Sequence, residues 1–195
     1  MFLIIFESAA FVSITPRPRE NFMELYALGA NGMASDYYPN NSSLIQVGED
    51  VTWYLGVGNQ MGSMQLVDIR VKLGNQTILP PNDTTSQPSP APQFAELTQF
   101  LADNGTWEIP FIWKILNFTT QQGLSRILQL EINNVTYTLQ NAPACSGTAS
   151  CRLRFIFELW TWNVAIDGFQ FGWTDESQQR IAWLQLWFDI SPGVH

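Results

Sequence analysis

The sequence predicts an all-β protein: an antiparallel immunoglobulin-like β-sandwich with an extended N-terminal hydrophobic strand or tail. Three observations favour this fold. Apolar and polar residues alternate in short segments, as in strands that bury one face. Turn signals rich in glycine, asparagine and aspartate recur about every eight to twelve residues, which is the spacing of a sandwich. No segment has a convincing 3.6-residue period, so no helix is expected in the domain.

The alternating segments define the strands. Segment 94–101 fits a strand better than a short helix, and Asp103-Asn104-Gly105 and Asn133-Asn134 are both hairpin signals. Pro110 indicates an edge position or a bulge, because proline cannot donate to a ladder. The predicted strands cover residues 22–28, 51–57, 64–73, 94–101, 107–115, 124–132, 135–139, 153–160, 169–173 and 181–190.

A proline-rich stretch interrupts this order at residues 74–93. Such a stretch is stiff and semi-extended, and it is longer than most connections within a domain. We expect it to be a long excursion over the surface. Its prolines are Pro80, Pro81, Pro88, Pro90 and Pro92.

The first twenty residues differ from the rest, so the chain divides into a hydrophobic arm with a Pro-rich linker (1–20) and a single domain (21–195). A bilayer-spanning helix needs about 20 apolar residues; this run is shorter and contains Glu7, which is costly in hydrocarbon. A secretory signal has basic residues at its start, whereas the first one here is Arg17. Read with period two, the run has one almost wholly apolar face. We predict that this face is a donor strand, with subunit contacts at Phe2, Ile4, Phe6, Ala10, Val12 and Ile14.

Two alternatives for the arm stay open: a helical tail left from a membrane anchor, with membrane contact through residues 2–15, and an ordinary first strand of the domain. Pro16 and Pro18 predict an extended exit in any strand arrangement, since proline fixes φ and biases its predecessor away from helix.

Charge and composition limit the function classes. The net charge of −8 argues against a nucleic-acid partner, because phosphate contacts need clustered Lys and Arg. Charged residues make up only 13% of the chain against 46% apolar residues, so an uncharged polar surface is expected.

Seven Asn-x-Ser/Thr sequons, carried by seven of the thirteen asparagines, predict N-linked glycans and therefore an extracellular, cell-surface location. Chance pairing of Asn with Ser or Thr in turns is the alternative, and it would give fewer. The predicted acceptors are Asn40, Asn41, Asn75, Asn82, Asn104, Asn117 and Asn134.

The two cysteines, Cys145 and Cys151, predict a disulfide that staples a short loop in an oxidising compartment. Two thiols without a partner histidine fall short of a four-ligand zinc site, and the sole histidine is the last residue, His195. We therefore expect no metal and no cofactor.

Candidate catalytic groups are sparse, and we expect no enzyme. Nucleophilic catalysis needs an activating base, which the chain lacks without an internal histidine. A glycosidase needs two carboxylates across a sugar, and Glu108, Glu131, Glu158, Asp167, Asp175 and Glu176 are the candidates, although turn and outer-face carboxylates are ordinarily solvated. Asp36, Asp50 and Asp103 offer oxygen ligands for calcium without the spacing of a loop site.

Lysine and tryptophan raise two further possibilities. Lys72 and Lys114 could form an isopeptide link to a buried Asn or Asp, although ordinary solvated lysines are commoner. Five late tryptophans could form a carbohydrate-binding platform, but on alternating strands they more often belong to the core. They are Trp160, Trp162, Trp173, Trp183 and Trp187.

Several stretches carry a family resemblance: 14–18 running into 22–32, then 57–62, 70–77, 104–110 and 157–160. They resemble an archaeal family known as domain of unknown function 1616, most closely versions from Sulfolobus-like thermoacidophiles, and the likeness covers residues 14–190. The resemblance implies a surface-exposed domain joined to membrane helices on its N-terminal side. Before Pro16 this chain departs from that pattern, because the apolar run is too short for several helices.

These observations predict a structural subunit of an archaeal extracellular assembly, a pilus-like filament built by donor-strand exchange. Copies would associate head to tail, each arm adding a strand to its neighbour. The alternatives are a membrane-anchored ectodomain that serves a membrane complex, and a carbohydrate-binding or adhesion module.

Overall fold

Two sheets packed face to face form the core of the protein, as expected for an immunoglobulin-like sandwich. The computed structural model describes residues 21–146, 151–175 and 177–190. The predicted arm (1–20), Glu176 and His195 lie outside the described residues, as do the predictions that rest on them. All strand pairs are antiparallel except one short parallel pair, β2 with β14.

The first sheet has the strand order β1-β3-β6-β7-β8, and β9 also pairs with β7. Two of its connections, β6–β7 and β7–β8, are two-residue turns, whereas β1 reaches β3 through residues 29–50. Its strands are β1 (Phe22–Leu28), β3 (Val51–Gln60), β6 (Thr106–Gln121), β7 (Leu124–Ile132), β8 (Val135–Thr138) and β9 (Cys145–Ser146).

The second sheet has the order β2-β14-β10-β4-β5, with β11 beside the end of β10, and a separate two-stranded ribbon joins β12 to β13. The strands are β2 (Leu44–Ile45), β4 (Gln65–Asn75), β5 (Gln93–Leu101), β10 (Cys151–Asn163), β11 (Gly168–Phe171), β12 (Trp173–Asp175), β13 (Gln178–Arg180) and β14 (Trp183–Ile190).

The core lies between the sheets and is rich in aromatic rings. Trp53 stacks on Phe111 with ring centroids 6.0 Å apart, and Trp113 meets Phe155 edge-on at 4.8 Å. Alternation works as predicted on β10, where Leu153, Phe155, Phe157 and Leu159 are all buried. Each such side chain contributes about 1.5–3 kcal/mol relative to exposure.

The register gives the sandwich two poles. At the arm pole, β1 begins opposite Gln60, and Gln65 pairs with Leu101. At the far pole, β3 begins at Val51 and Cys151 pairs with Ile190. The N-terminal arm joins the described domain at the arm pole, because Asn21 immediately precedes β1.

One predicted hairpin is confirmed and the other is wrong. Ile132 pairs with Val135 around Asn133-Asn134, and both asparagines have the positive φ of a tight two-residue turn. Asp103-Asn104-Gly105 instead connects β5 of the second sheet to β6 of the first. The buried Asn59 amide fixes that crossing by donating to the carbonyls of Leu101 at 2.9 Å and Ala102 at 3.1 Å.

Segment 94–101 is a strand, as preferred, and Pro110 has the edge position its chemistry requires. β6 pairs with β3 through residues 106–113 and with β7 only from residue 113 onward. Pro110 therefore lies where β6 has a strand neighbour on one side. The Asn133 side chain covers the other side, donating to the Pro110 carbonyl at 2.8 Å.

Candidate functional site

The most distinctive feature of the described surface is an incompletely covered seam on one long side of the sandwich. β1 is the edge of the first sheet there, and β14 borders the second sheet and contacts β1. Met23 on β1 and Phe188 and Ile190 on β14 are buried, but the other core-facing side chains of the two strands are only half-buried, unlike those of the central strands. We call the seam the row formed by Leu25, Ala27, Ala182, Leu184 and Leu186.

The two strands that border the seam present unpaired edges. Within the described ranges, β1 pairs only with β3, and the Trp183–Phe188 part of β14 pairs only with β10. The N–H and C=O groups of one residue in an antiparallel strand point to the same side. The Asp189 N–H donates away from β10, to the Ser43 carbonyl at 2.7 Å, so Trp183 and Gln185 point their backbone groups toward the seam.

Two adjacent tyrosines cap the seam near the far pole and tie the sheets together. The Tyr37 hydroxyl donates to the Ala27 carbonyl on β1 at 3.0 Å, and the Tyr38 hydroxyl donates to the Trp187 carbonyl on β14. Burial raises the pKa of Tyr38 to about 12, so its hydroxyl stays a donor at neutral and acidic pH. β2 then completes the edge of β14 beside Asp189 and Ile190.

This geometry leaves the middle of the seam open, between the tyrosine cap and Met23, which is buried at the arm-pole end of β1. An exposed sheet edge with half-buried apolar side chains beside it is a template for one more strand. Such a strand needs alternate apolar side chains for the core side and backbone groups for the edges. The predicted donor residues of the arm have that pattern, and their own positions lie outside the described part of the chain.

The predicted disulfide between Cys145 and Cys151 is confirmed, and it does more than close a small loop. Cys145 lies on β9, which pairs with β7 of the first sheet, whereas Cys151 begins β10 of the second sheet. The bond therefore links the two sheets at the far pole. Loop length alone could not predict this role, because it depends on which sheet each end joins.

Six of the seven predicted glycan acceptors have exposed side chains, so a sugar could reach them. The exception is Asn75, which is half-buried: its amide donates to the Ala144 carbonyl at 2.7 Å, and its oxygen accepts from the Thr77 and Ile78 N–H groups. A glycan at Asn75 would have to break these bonds. Glycosylation itself remains a prediction. The exposed acceptors are Asn40, Asn41, Asn82, Asn104, Asn117 and Asn134.

The Pro-rich stretch is not a free surface excursion, because it covers the outer face of the second sheet. Pro81, Ser89 and Ala91 are buried there. Beneath them Lys72 and Glu158 form an ion pair at 2.9 Å, with side-chain exposures of 7% and 0%. The Ser89 carbonyl accepts from Lys72 at 2.7 Å, and the Ser89 N–H donates to Glu158 at 2.7 Å.

These contacts correct the expectation that both lysines are solvated. Lys72 is buried because its strand faces residues 76–92, which we call the covering segment. It donates to a glutamate and a carbonyl rather than to an Asn or Asp. Lys114 pairs with Glu131 at 2.7 Å and Asp50 at 3.6 Å near the surface, where the hydrogen bond to Glu131 raises the pKa of Lys114.

The expectation that the five late tryptophans are core residues is wrong for four of them. Trp173 is buried, but the others lie on the outer face of the second sheet and are partly exposed. Even residues of β10 and odd residues of β14 face outward there, opposite to the core-facing set. Arginines stack on two of the rings: Arg70 lies 3.6 Å from the ring centroid of Trp160, and Arg154 lies 4.6 Å from that of Trp187.

The candidate acids occupy separate environments. Glu158 is held by Lys72, Glu131 by Lys114, and Glu108 accepts from the Tyr26 hydroxyl at 3.3 Å. Asp167 lies in the β10–β11 turn and Asp175 ends β12. No carboxylate pair among these described residues is brought together across a cleft by any recorded contact.

The three suggested calcium ligands each contact a different partner. Asp36 accepts from Asn31 at 2.5 Å, Asp50 approaches Lys114, and Asp103 accepts from the Gly62 N–H at 2.8 Å. The described residues contain no group of three His, Cys, Asp or Glu side chains arranged to hold a metal ion. In the same part of the chain, no helix has the length and apolar character needed to cross a membrane.

No protein-family model and no curated protein matches the chain. Its fold is similar to part of a β-glucosidase from Listeria innocua (TM-score 0.41, 10% identity, 90% of this chain, 17% of the enzyme) and of a Trichoderma reesei β-D-glucoside glucohydrolase (TM-score 0.34, 10% identity, 95% and 22%). A CARDB domain from Pyrococcus furiosus, solved with di-metal ions, is also similar (TM-score 0.36, 11% identity, 90% and 96%). The chain thus spans less than a quarter of either enzyme, and similarities this weak support no conclusion about activity.

Sequence reasoning missed the acceptor side of the seam. Leu184 and Leu186 were within a predicted strand, but alternation does not show whether a strand has a neighbour on each edge. Tyr37 and Tyr38 lie outside every predicted strand. The available signal was the adjacency of the two tyrosines, because a tyrosine hydroxyl that becomes buried usually needs a hydrogen-bond acceptor.

Proposed function

We propose that the protein is a structural subunit of an extracellular cell-surface filament, and that copies join by strand addition. The observation that carries this proposal is the seam between β1 and β14, where two unpaired edges flank a half-exposed apolar row. The arm supplies the complementary pattern: Phe2, Ile4, Phe6, Ala10, Val12 and Ile14 recur at every second or fourth position. In the assembly, the arm of one copy lies in the seam of the next.

The energetics explain why both parts of the contact are needed. Ordering the backbone of one residue costs about 1–2 kcal/mol. Burying a large apolar side chain contributes about 1.5–3 kcal/mol, and a net hydrogen bond about 0.5–1.5 kcal/mol. An arm residue that only paired with the edge would roughly break even. Docking is favourable when every second side chain also enters the apolar row.

The surface supports an extracellular place for this assembly. Of the six exposed sequon acceptors, one lies on β6 and five lie in connections between strands, and the disulfide links the sheets. Glycans at these positions would coat the filament without entering the seam, because none of the six is a seam residue. The resemblance to the archaeal family supports a cell-surface location, and a chain of net charge −8 is poorly suited to bind nucleic acid.

We further propose that the subunit is not an enzyme. Its candidate acids are engaged by lysines, a tyrosine or turns rather than aimed at a common point. The hypothesis of a carbohydrate-binding platform is weakened as well, because arginine guanidinium groups already cover faces of Trp160 and Trp187. A structural role uses the features that remain, which are the seam, the arm and the exposed sequons.

Deleting residues 1–15 tests the proposal directly. The deleted domain should stay soluble and monomeric by size-exclusion chromatography and electron microscopy under conditions where the intact chain forms fibres. A synthetic peptide of residues 2–15 should bind the deleted domain and raise its Tm, whereas the same peptide with Ile4→Asp and Phe6→Asp should not. Fibres formed by the deleted domain would refute strand addition.

The acceptor side has a matched pair of variants on one strand. Leu186→Glu places a charge in the seam, so it should abolish peptide binding and fibre growth. Gln185→Glu adds the same charge one residue earlier on the outer face, beside Arg154, and should leave both intact. Equal behaviour of the two variants would show that the seam does not receive the arm.

The membrane-anchored alternative predicts a different result for the intact chain and the domain without residues 1–15. An arm that enters a bilayer would carry the intact chain into a lipid-vesicle pellet that resists a carbonate wash. In that case the free peptide of residues 2–15 would not raise the Tm of the domain that lacks residues 1–15. Mixing two intact chains of different size, one with Ile4→Cys and one with Leu184→Cys, adds a further test, since strand exchange predicts disulfide-linked heterodimers.

A further inference from the structure

The arm pole carries four strongly exposed apolar side chains. Met64 is 66% exposed in the β3–β4 turn, and Phe100 is 65% exposed near the end of β5. Val164 and Ile166 are 85% and 61% exposed in the hairpin between β10 and β11. Single exposed apolar residues are ordinary, but several at one end of a domain indicate a contact surface.

The strand register brings these residues to one end. Gln65 pairs with Leu101 and Leu66 with Phe100, so Met64 and Phe100 lie beside each other at the edge of the second sheet. β10 pairs with β4 as far as Thr161, which lies opposite Val67. The hairpin between β10 and β11 therefore extends beyond this same end of the second sheet. Trp162 packs edge-on against Phe169 at 5.3 Å and forms the base of that hairpin.

The charges of this end lie beside the apolar residues: Asp103 accepts from the Gly62 N–H at 2.8 Å, and Asp167 follows Ile166 in the hairpin. Residues 62–66 and 162–166 contain no Asp, Glu, Lys or Arg, although the chain as a whole has a net charge of −8. Two copies that approach each other must overcome like-charge repulsion. The two uncharged segments add nothing to that repulsion where they meet another copy.

We propose that the arm pole is a second contact surface for another copy of this chain, namely the copy that receives the arm. This inference rests on the proposed strand addition. If Ile14 lies in the seam of the receiving copy, only seven residue steps separate it from Asn21 at the arm pole. Seven extended residues span at most about 25 Å, so the arm pole must lie close to the receiving subunit.

The short tether makes the second contact effective. Once the arm has docked, the pole meets the receiving copy as an intramolecular partner at high effective concentration. A modest apolar contact then slows the release of subunits without adding to the affinity of the free arm peptide. The pole and the seam therefore have separable effects.

The test uses the full chain with Val164→Ser and Ile166→Ser together, and a matched control with Leu79→Ser and Val135→Ser. The control residues are 70% and 52% exposed and lie in the covering segment and at the β7–β8 hairpin. Fibres are preformed and diluted into excess arm peptide, and released subunits are counted over time. We expect about tenfold faster release for the pole variant, since interface changes act mainly on dissociation, and an unchanged rate for the control.

The outcomes separate this inference from the proposed function. Equal Tm and equal arm-peptide binding of the variants, measured on the domain without residues 1–15, establish that folding and the seam are intact. If the pole variant then releases subunits at the control rate, the second contact does not exist, while strand addition stands. If the domain lacking residues 1–15 still forms fibres, strand addition fails, and this inference fails with it.

Discussion

The outer face of the second sheet and the seam between β1 and β14 are both partly apolar surfaces that require a cover. The two surfaces are covered in different ways. Residues 76–92 cover the outer face from within the same domain, and the Lys72–Glu158 pair lies beneath them. At the seam, Tyr37 and Tyr38 cover only the end near the far pole. A face closed by its own chain stabilises the monomer, whereas a face left open can be completed by another chain.

The comparison also explains where polar groups are buried. Under the covering segment, a lysine and a glutamate are satisfied by each other and by Ser89. Along the seam, the polar groups that await partners are backbone N–H and C=O groups, which any strand can satisfy. Specific side-chain partners suit a permanent cover, and sequence-independent backbone partners suit an exchangeable strand.

Breaking the permanent cover should have the largest effect on stability. Glu158→Ala leaves Lys72 buried without its carboxylate, and removing one partner of a buried pair costs about 3–5 kcal/mol. Denaturant unfolding followed by tryptophan fluorescence measures the loss. Glu131→Ala, which affects the more exposed pair with Lys114, is the matched control and should lose much less. Equal losses would show that the covering segment does not shield its ion pair from water.

Removing the disulfide should have the next largest effect. Cys145→Ser with Cys151→Ser frees a closed loop of a few residues, for which loop entropy gives about 2 kcal/mol. Unfolding curves with and without reductant provide the measurement. The wild-type protein should become like the variant on reduction, and the variant should not respond. The seam should still bind the arm peptide, because the bond lies between the sheets at the far pole rather than beside β1.

Opening the cap of the seam should have a smaller effect. Tyr38→Phe removes one hydrogen bond to the Trp187 carbonyl, at a cost of about 1 kcal/mol. The wild-type protein should also lose stability as pH rises from about 10 to about 12, because the unfolded tyrosine deprotonates before the folded one, whose pKa is about 12. The variant should lack that part of the pH dependence. Tyr54→Phe, at a tyrosine on β3, serves as control.

The smallest effect is expected at Asp68, on the outer face of the second sheet. Burial raises the pKa of this carboxyl, against the hydrogen bonds from Arg70 and Thr98 that lower it. The folded state therefore holds the proton to higher pH than the unfolded state does, and stability due to Asp68 increases as pH falls. The stability of the wild-type protein relative to Asp68→Asn should rise between pH 7 and pH 3 in chemical denaturation. A difference that is constant or falls would contradict this sign.

Much of the fold was predictable because strand patterning is local. The segments 22–28 and 124–132 match β1 and β7 residue for residue, and Asn133-Asn134 turns as predicted. The failed predictions concern pairing over distance. Asp103-Asn104-Gly105 has the composition of a hairpin, yet Asn59, more than forty positions earlier, directs the chain to the other sheet. The four outward-facing tryptophans were misplaced because period two identifies two faces without naming the buried one.

The site was only half predictable for the same reason. The arm shows its apolar face in the sequence, since both the donor residues and their spacing are local. Its acceptor is built from Leu25 and Ala27 on β1 and from Leu184 and Leu186 on β14, which are about 160 residues apart in the chain. No local pattern can relate them.

The sequence by itself determined the β class, the strand positions, the disulfide partners and the location of the sequons, because each depends on neighbouring residues or on only two cysteines. Tertiary structure alone decided that Lys72 is buried, that the disulfide joins the sheets, and that one long side of the sandwich lacks a strand among the described residues. These properties follow from which distant strands become neighbours. That choice is made by the packing of the whole core, where Trp53, Phe111 and Phe155 meet from three different strands.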